Sequence, residues 1–237
     1  MNQTKPVNYL SNKELLRLIN ESKLSYSSLV NPAFQDKALA HPDKIIRSLD
    51  EATEPDTVYR LMTREHIPPD ITKPTFNAFK HFLVIDGHPI EVLRSHWIGG
   101  ANDGHYSDDH GKISNTLAER IMLLVSKYSQ RANFRGYSYR EEFVGEGLVQ
   151  VIKGALLFCE SRTKNTPNPF AYYTAIATNA FRKVLTAEKR VRTIRDDMLI
   201  SMGADPSHTR QTEDELEQRG ETQPKPKRAF PKKKKKA

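Results

Sequence analysis

The sequence predicts a mainly α-helical protein, in which a three-helix module follows an irregular N-terminal arm and precedes a disordered basic C-terminal tail. Apolar residues recur at three- and four-residue steps after about residue 111, whereas prolines interrupt much of the chain before it. Hydrophobic residues make up 37% of the 237 residues, which is low for a chain that is packed throughout. We expect a helix in residues 1–23, an irregular arm and loop in 24–110, the helical module in 111–204, an acidic linker in 205–223 and the basic tail in 224–237.

A capping box predicts the first helix. In Ser11-Asn-Lys-Glu14 the hydroxyl and the carboxylate can pair with N–H groups that the start of a helix leaves unpaired, and four apolar residues follow within the next five positions. Residues 24–80 contain six prolines and leave room only for short elements, such as a helix over residues 56–65. Residues 82–85 and 90–93 flank Asp86-Gly87, which predicts two short strands joined by a turn.

Residues 95–110 are rich in Gly, Asp and His and contain the single tryptophan. Imidazole and carboxylate groups suit several divalent metals, and this stretch offers His96, His105, His110, Asp103, Asp108 and Asp109. Their spacing matches no ligand motif, and turn-forming residues between two elements explain it equally well. The sequence therefore favours a solvated loop, and we predict no metal and no other cofactor.

The charge of the chain is concentrated at its C-terminus. There are 37 Lys and Arg residues against 29 Asp and Glu, a net charge of +8, and the segment Pro224–Ala237 contains eight basic residues and no acidic one. The rest of the chain is therefore neutral overall. Such a tail predicts salt-sensitive, sequence-independent attachment to nucleic acid. The alternative is a run that only keeps the chain soluble.

The cysteine count and the apolar segments limit the class of protein. The single cysteine, Cys159, excludes an internal disulfide and a multi-thiolate zinc site, and its apolar neighbours predict a buried, inert thiol. No apolar run approaches the ~18 residues that span a bilayer, and the N-terminus lacks the apolar core of a signal peptide. We therefore expect a soluble protein of the cytosol or nucleoid, with no membrane partner.

Three helices are predicted within residues 111–204. The first should be capped by Thr116 and Glu119 and run through Tyr128, and the second should open at the capping box Ser138-Tyr-Arg-Glu141 and reach about residue 158. The third should begin at Pro169, after the N-cap residue Asn168, and continue to residue 189 or beyond. Three glycines in the second helix each cost about 1 kcal/mol relative to Ala, so we expect them to permit close helix packing: Gly145, Gly147 and Gly154.

The third predicted helix has an apolar face and a polar face. The apolar face should pack on the other two helices and consists of Phe170, Tyr173, Ala177, Phe181, Val184 and Leu185. The polar face consists of Tyr172, Thr178, Asn179, Arg182, Lys183, Thr186, Lys189 and Arg190. Residues 182–195 contain six basic residues and one acidic residue. This composition is typical of a helix that binds nucleic acid. Cations bind phosphates, an amide contacts a base edge, and an aromatic ring stacks on an unpaired base. An ordinary amphipathic helix has the same periodicity, so periodicity does not separate the two.

A resemblance to a known family favours the first interpretation. The segments that carry it are Tyr139-Arg-Glu-Glu-Phe143, Gly147-Leu through Phe158, Asn168-Pro-Phe-Ala-Tyr-Tyr-Thr174, Asn179-Ala-Phe181 and Glu188-Lys-Arg190. They resemble the late-transcription sigma factors of large tailed phages and, through them, the second region of bacterial sigma factors. The similarity covers about residues 113–211, with a weaker match at residues 8–16. It implies a non-enzymatic factor, working in the host bacterial cytoplasm at the nucleoid, that directs host RNA polymerase core to late promoters.

The resemblance also implies which residues bind the polymerase. The family's second helix docks on the clamp helices of the largest polymerase subunit, and this sequence has Glu142-Phe-Val-Gly-Glu-Gly-Leu-Val-Gln-Val-Ile-Lys153 at that place. Gly145 replaces a family Gln and Leu148 replaces an Asn. An acidic and apolar face can pair with basic residues of a partner helix. The implied polymerase-binding residues are Glu142, Glu146, Leu148, Val149 and Ile152.

The family's next helix recognises and helps to open an AT-rich minus-ten-type element. The implied DNA-binding residues are Tyr172, Tyr173, Asn179, Arg182, Lys183, Thr186, Lys189, Arg190 and Arg192. The family's paired tryptophans fall on Ala175 and Ile176, so strand separation would depend on Tyr172, Tyr173 or Phe170. The Lys-rich C-terminus differs from the acidic, hydrophobic end of related factors, so binding to a sliding clamp or a coactivator is not carried over.

Two alternatives from other classes remain open at this point. One is a metal-dependent DNA-processing enzyme that uses the His- and Asp-rich loop. The other is an architectural DNA-binding protein that acts without polymerase and without sequence preference.

Overall fold

The computed structural model describes residues 10–71, 74–109, 111–162 and 166–218. It divides into two units, residues 1–182 and 183–237. The predicted basic tail, the last part of the predicted linker and His110 lie outside the described residues. No helix within the described ranges is both long enough and apolar enough to cross a membrane.

The described residues form six α-helices and seven strands, so the predicted mainly helical class is correct only with a substantial sheet added. The helices are α1 (Asn12–Leu24), α2 (Gln35–Ala38), α3 (Asn115–Ser129), α4 (Arg140–Gly154), α5 (Pro169–Ser201) and α6 (His208–Gln218). The strands are β1 (Ser27–Leu29), β2 (Lys44–Ile46), β3 (Val58–Leu61), β4 (Lys80–Ile85), β5 (His88–Ser95), β6 (Trp97–Ile98) and β7 (His105–Tyr106).

Residues 24–110 are not the irregular arm that the prolines suggested. They contain a five-stranded sheet in the order β1-β5-β4-β3-β2, in which β2 and β3 are parallel and the other neighbours are antiparallel. All six prolines of residues 24–80 lie outside the strands, so they separate the strands without interrupting them. The predicted helix over residues 56–65 is wrong, since Val58–Leu61 is a strand that is buried at every residue.

The predicted hairpin is confirmed. Asp86 and Gly87 connect β4 to β5, and both have positive φ angles, 51° and 78°. Two consecutive residues of this kind form the turn whose twist matches that of the flanking strands. One face of the sheet buries a cluster around Tyr59, Phe82 and Val84.

Helix α1 begins as predicted. The Ser11 hydroxyl accepts a hydrogen bond from the Glu14 N–H at 3.1 Å, and Leu15, Leu18 and Ile19 are buried. The Glu14 carboxylate lies 2.9 Å from the guanidinium of Arg120 in α3. The first helix of the chain is therefore attached to the later helices.

The three predicted helices of residues 111–204 form, although two of their caps differ from the prediction. Helix α3 is capped by Ser114, whose hydroxyl accepts from the Leu117 N–H at 3.3 Å, and not by Thr116. Helix α4 follows Tyr139 without a side-chain cap, so the predicted capping box at residues 138–141 is wrong. Helix α5 has the predicted cap, with Asn168 Oδ1 accepting from the Ala171 N–H at 2.9 Å.

An aromatic cluster forms the core of these helices within the first unit. The Phe181 ring lies 4.9 Å from that of Phe134 and 5.3 Å from that of Phe143, measured between centroids. A Cβ added to Gly147 would lie 2.7 Å from Phe181 Cε1, so this glycine permits the predicted close packing. Gly154 packs against Ile176 in the same manner, whereas Gly145 has open space around it.

The second unit, in its described part, contains the C-terminal half of α5 and helix α6. Helix α5 ends in a Schellman motif: the Ala204 N–H donates to Leu199 O at 2.9 Å, and Gly203 has a φ of 74°. The buried Asp196 carboxylate accepts from the Ser207 N–H at 3.1 Å and from the Ser207 hydroxyl at 2.7 Å. Much of the predicted linker is therefore helical, since α6 covers His208–Gln218.

Candidate functional site

Helix α4 presents an exposed face with the composition that the sequence predicted for polymerase binding. We define the α4 face as Glu142, Glu146, Val149 and Ile152, which follow at three- and four-residue steps. Val149 is 46% exposed and Ile152 is 41% exposed, although both are apolar. The other side of the helix is in the core, where Phe143, Gly147 and Val151 are buried. The core therefore fixes the orientation of the α4 face.

The acidic members of the α4 face lie on the N-terminal side of its apolar pair. Glu142 is exposed, and Glu146 is half-buried and accepts a hydrogen bond from the Gln150 amide at 3.1 Å. Leu148, the fifth predicted polymerase-binding residue, is also half-buried and exposes only part of its side chain. Gly145 lies exposed between the two glutamates.

Tyr173 is not available for DNA binding, contrary to what the resemblance implied, and it lies in the core as its place on the predicted apolar face required. Its side chain has no exposed surface, and its hydroxyl donates to the Ala155 carbonyl at 2.9 Å. Burial raises the pKa of this phenol far above its ordinary value. Tyr173 is a core residue because it lies on the same side of α5 as Ala177 and Phe181, which are both fully buried.

Tyr172 has a half-buried side chain with defined contacts. Its hydroxyl donates to the Gly154 carbonyl at 3.2 Å, and its ring lies edge-on to Phe158 with 5.5 Å between centroids. Burial raises the pKa of this hydroxyl. Because the tip of the side chain is held and the ring is half-exposed, Tyr172 remains a candidate stacking residue.

The other predicted DNA-binding residues of the first unit are Asn179 and Arg182, and both are exposed. Thr178, on the predicted polar face, is half-buried, and its hydroxyl lies 2.7 Å from that of Tyr128. Phe170 is also half-buried, and its N–H donates to Asn12 Oδ1 at 3.0 Å.

In the second unit the predicted DNA-binding residues are all exposed, but they do not share one side of the helix. They are Lys183, Thr186, Lys189, Arg190 and Arg192. At about 100° per residue, Lys183, Thr186 and Arg190 lie within about 60° of one another, whereas Arg192 lies about 180° from Lys183. A single DNA backbone therefore contacts only some of them at once.

The His- and Asp-rich loop does not form a metal site among the described residues. His96 is fully buried with a φ of 57°, and its ring centroid lies 4.0 Å from that of Phe76. His105 and Asp103 are exposed in and beside the β6–β7 hairpin. No group of three or more His, Cys, Asp or Glu residues in the described ranges is placed to hold a metal ion.

A buried polar network connects α1 to the sheet and to residues 158–160, and no sequence pattern indicated it. Arg60 Nη1 donates to Asn20 Oδ1 at 2.8 Å, and Asn20 Nδ2 donates to Glu160 Oε1 at 2.8 Å. Arg60 Nε donates to His81 Nε2 at 2.9 Å, so the other ring nitrogen of His81 donates to the Ala38 carbonyl at 2.9 Å. We call these four side chains the Arg60 network.

Burial shifts the pKa values in and beside the Arg60 network. Desolvation lowers the pKa of Arg60 to about 10 and that of His81 to about 3. The neighbouring Lys23 donates to the Phe158 carbonyl at 2.6 Å, and desolvation lowers its pKa to about 8. At neutral pH the network therefore carries the charge of Arg60 together with a neutral His81.

Cys159 is buried as predicted, but it also lines a cleft. The cleft has a volume of about 430 Å³, and its wall includes Asn77, Ser161 and two arginines, Arg64 and Arg162. Burial raises the pKa of the Cys159 thiol, but hydrogen bonds from Ser161 and Asn77 outweigh this effect and leave the pKa below its ordinary value. The Sγ atom lies 2.9 Å from the Ser161 hydroxyl.

No protein-family model matches the chain, and no curated protein shows significant similarity to it.

Proposed function

We propose that this protein is a promoter-specificity factor that binds bacterial RNA polymerase core through the α4 face. The observation that carries the proposal is the exposed pair Val149 and Ile152, held in place by a helix whose opposite side is core. Burial of the exposed parts of these two side chains would contribute roughly 1 kcal/mol each. Glu142 and Glu146 at the edge of the pair would form the polar rim that such interfaces have and would favour a basic partner helix.

Helix α5 would bind the promoter. The Asn179 amide has the donor and acceptor that an adenine edge needs, and the half-exposed Tyr172 ring would stack on an unpaired base. Arg182 in the first unit and exposed cations of the second unit would contact phosphates, which supplies affinity without sequence preference. The factor would assist initiation at an AT-rich minus-ten-type element of late promoters, and the polymerase would perform all the chemistry.

A run-off assay with host core polymerase on late-promoter DNA tests the proposal. We expect transcripts only when the protein is added, and a lack of stimulation on every late-promoter fragment would refute it. Ile152→Asp should weaken polymerase binding. Met122→Asp, which changes an apolar residue of α3 that is 53% exposed, is the matched control and should bind normally.

The same assay separates the two surfaces. Tyr172→Ala should impair promoter opening, measured by permanganate reactivity of unpaired thymines, more than it impairs polymerase binding. Tyr137→Ala serves as the control because Tyr137 is a tyrosine outside α5 that is 39% exposed. If Ile152→Asp and Tyr172→Ala reduced both steps equally, the division of roles between α4 and α5 would be wrong.

The two other classes predict different results. A metal-dependent DNA-processing enzyme would cleave plasmid DNA, and a chelator or His105→Ala would abolish the cleavage. An architectural binder would bind duplex DNA without sequence preference and would leave polymerase at late promoters unaffected. Either result would replace the specificity-factor proposal.

A further inference from the structure

The C-terminal half of α5, within the second unit, carries an exposed apolar stripe. We define the α5 stripe as Val184, Ala187, Val191, Ile194 and Met198. Val191, Ile194 and Met198 are 59%, 46% and 61% exposed, although they are large apolar side chains. The described α6 helix therefore leaves roughly half of their surface uncovered.

The spacing of the α5 stripe is that of a coiled-coil seam. Its residues follow in steps of three and four, so alternate positions are seven residues apart: Val184, Val191 and Met198 in one series, Ala187 and Ile194 in the other. At about 100° per residue the five side chains lie within about 80° of the helix circumference. Such a narrow stripe fits one partner helix, whereas a helix that packs on a larger core usually has a wider apolar face.

The charges beside the α5 stripe indicate which helix fits it. Glu188 and Arg195 lie along one edge of the stripe, and Arg190 and Asp197 lie along the other edge. Each edge therefore carries one acidic and one basic residue, seven positions apart. A helix with this pattern is complementary to a second copy of itself.

The direction of the second helix follows from the same four charges. In an antiparallel pair, Glu188 faces Arg195 of the second copy and Arg190 faces Asp197 of the second copy, so all four facing pairs of the symmetric dimer are attractive. In a parallel pair, Lys183 faces Glu188 of the second copy, which is attractive, but Arg190 faces Arg195 of the second copy, which is repulsive, so attractive and repulsive pairs are equal in number.

The apolar layers also match in the antiparallel arrangement. With Val191 facing Ile194 of the second copy, Ala187 faces Met198 of the second copy and Val184 faces Ser201 of the second copy. Small residues are thus placed opposite the large Met198 or at the end of the seam, which favours close packing.

We propose that the α5 stripe is the interface of an antiparallel homodimer, in which two copies of α5 pair through Val191 and Ile194 at the centre. The paired segments are short, about 27 Å at 1.5 Å per residue, so the dimer is a weak one with a micromolar dissociation constant. The dimer does not depend on the proposed function. If α5 also binds promoter DNA, Arg190 would be shared, and dimer formation would compete with that contact.

Sedimentation velocity of the full chain over a range of concentrations, without DNA or polymerase, tests the proposal. We expect a reversible monomer–dimer equilibrium that Val191→Asp weakens by about tenfold or more, since the charge would lie at the centre of the seam. The matched control is Ile200→Asp, which changes an exposed apolar residue of the same helix that lies off the stripe and is 48% exposed. This variant should dimerise as the unaltered protein does. Circular dichroism of both variants should show unchanged helix content.

A charge exchange tests the orientation without altering the apolar seam. Arg195→Glu should weaken an antiparallel dimer, because Glu188 would then face a carboxylate, but it should strengthen a parallel dimer by removing the Arg190–Arg195 repulsion. Combining Glu188→Arg with Arg195→Glu should restore the affinity to within about threefold. A chain that stays monomeric at every concentration, or a dimer that Val191→Asp does not weaken, would overturn the proposal. Protection of the stripe from hydrogen exchange only when core polymerase is added would also overturn it and would assign the stripe to that partner.

Discussion

Two glycines of α4 lie two positions apart, and we expect their replacement by alanine to change the free energy of unfolding in opposite directions. A Cβ at Gly147 would lie 2.7 Å from Phe181 Cε1 and 3.0 Å from Val125 Cγ1, whereas a Cβ at Gly145 would have nothing within 4 Å. Replacement of a helical glycine by alanine is itself favourable by about 1 kcal/mol. The outcome at each position therefore depends on the space around it.

The space at Gly147 is insufficient. Non-bonded carbons prefer a separation of about 3.5–4.0 Å, so Gly147→Ala requires a shift of nearly 1 Å in its neighbours. Phe181 and Val125 are both completely buried, and Phe181 is in contact with the rings of Phe134 and Phe143. Overpacking of a core of this kind costs about 1–3 kcal/mol, against a gain of about 1 kcal/mol in helix propensity. We expect Gly147→Ala to lower the free energy of unfolding by up to about 2 kcal/mol.

Gly145→Ala is the matched control and should raise the free energy of unfolding by about 0.5–1 kcal/mol, since only helix propensity changes. For a unit of this size about 1 kcal/mol shifts Tm by about 2–4 °C, so Gly147→Ala should melt several degrees below Gly145→Ala. Thermal unfolding followed by circular dichroism measures the difference. If Gly147→Ala melted at the same temperature as Gly145→Ala or above it, the close packing of α4 against Val125 of α3 and Phe181 of α5 would be incorrect.

Three further predictions concern groups with shifted pKa values. Lys23 has a pKa of about 8 in the folded chain, below its ordinary 10.5, so the unfolded chain binds more protons between these two pH values. The free energy of unfolding should therefore rise by about 3 kcal/mol from pH 8 to pH 10.5. In denaturant titrations, Lys23→Met should remove this rise. His81 has a pKa of about 3 in the folded chain, below its ordinary 6.5. The free energy of unfolding should therefore fall by up to about 5 kcal/mol as the pH drops from 6.5 to 3. His81→Gln keeps a donor and an acceptor but does not titrate in this pH range, so it should reduce the pH dependence. Hydrogen bonds from Ser207 hold the pKa of Asp196 below its ordinary value, so Ser207→Ala should raise that pKa in an NMR titration, and an unchanged titration would show that the hydroxyl contributes nothing.

Local patterns predicted the helices well because their signals lie within a few residues. The N-caps Ser11 and Asn168 and the Asp86-Gly87 turn act through neighbouring backbone groups, and all three form as expected. The prediction at residues 138–141 was wrong although the capping-box pattern is present, because α4 begins later, at Arg140.

The sheet was missed beyond its β4–β5 hairpin, because the other strands are short and their pairing is not local. Strand β1 pairs with β5 across more than 60 residues, Ser27 with Ser95, and no short window of sequence contains that information. The Arg60 network was missed for the same reason, since Asn20 and Glu160 are 140 residues apart. Of the candidate site, helical spacing already placed Tyr173 on the apolar face of the third helix, and its burial agrees with that spacing, whereas the resemblance placed the same residue among the DNA contacts.

The attachment of α1 to α3 affects the order in which the chain can fold during synthesis. Leu15, Leu18 and Ile19 are buried, and Glu14 pairs with Arg120, which is made about 100 residues later. At roughly 5–20 residues per second, α1 would leave the ribosome about 5–20 seconds before its partner helix exists. During that interval its apolar side remains uncovered, so chaperone binding to the nascent chain should be strongest between the synthesis of α1 and the completion of α3.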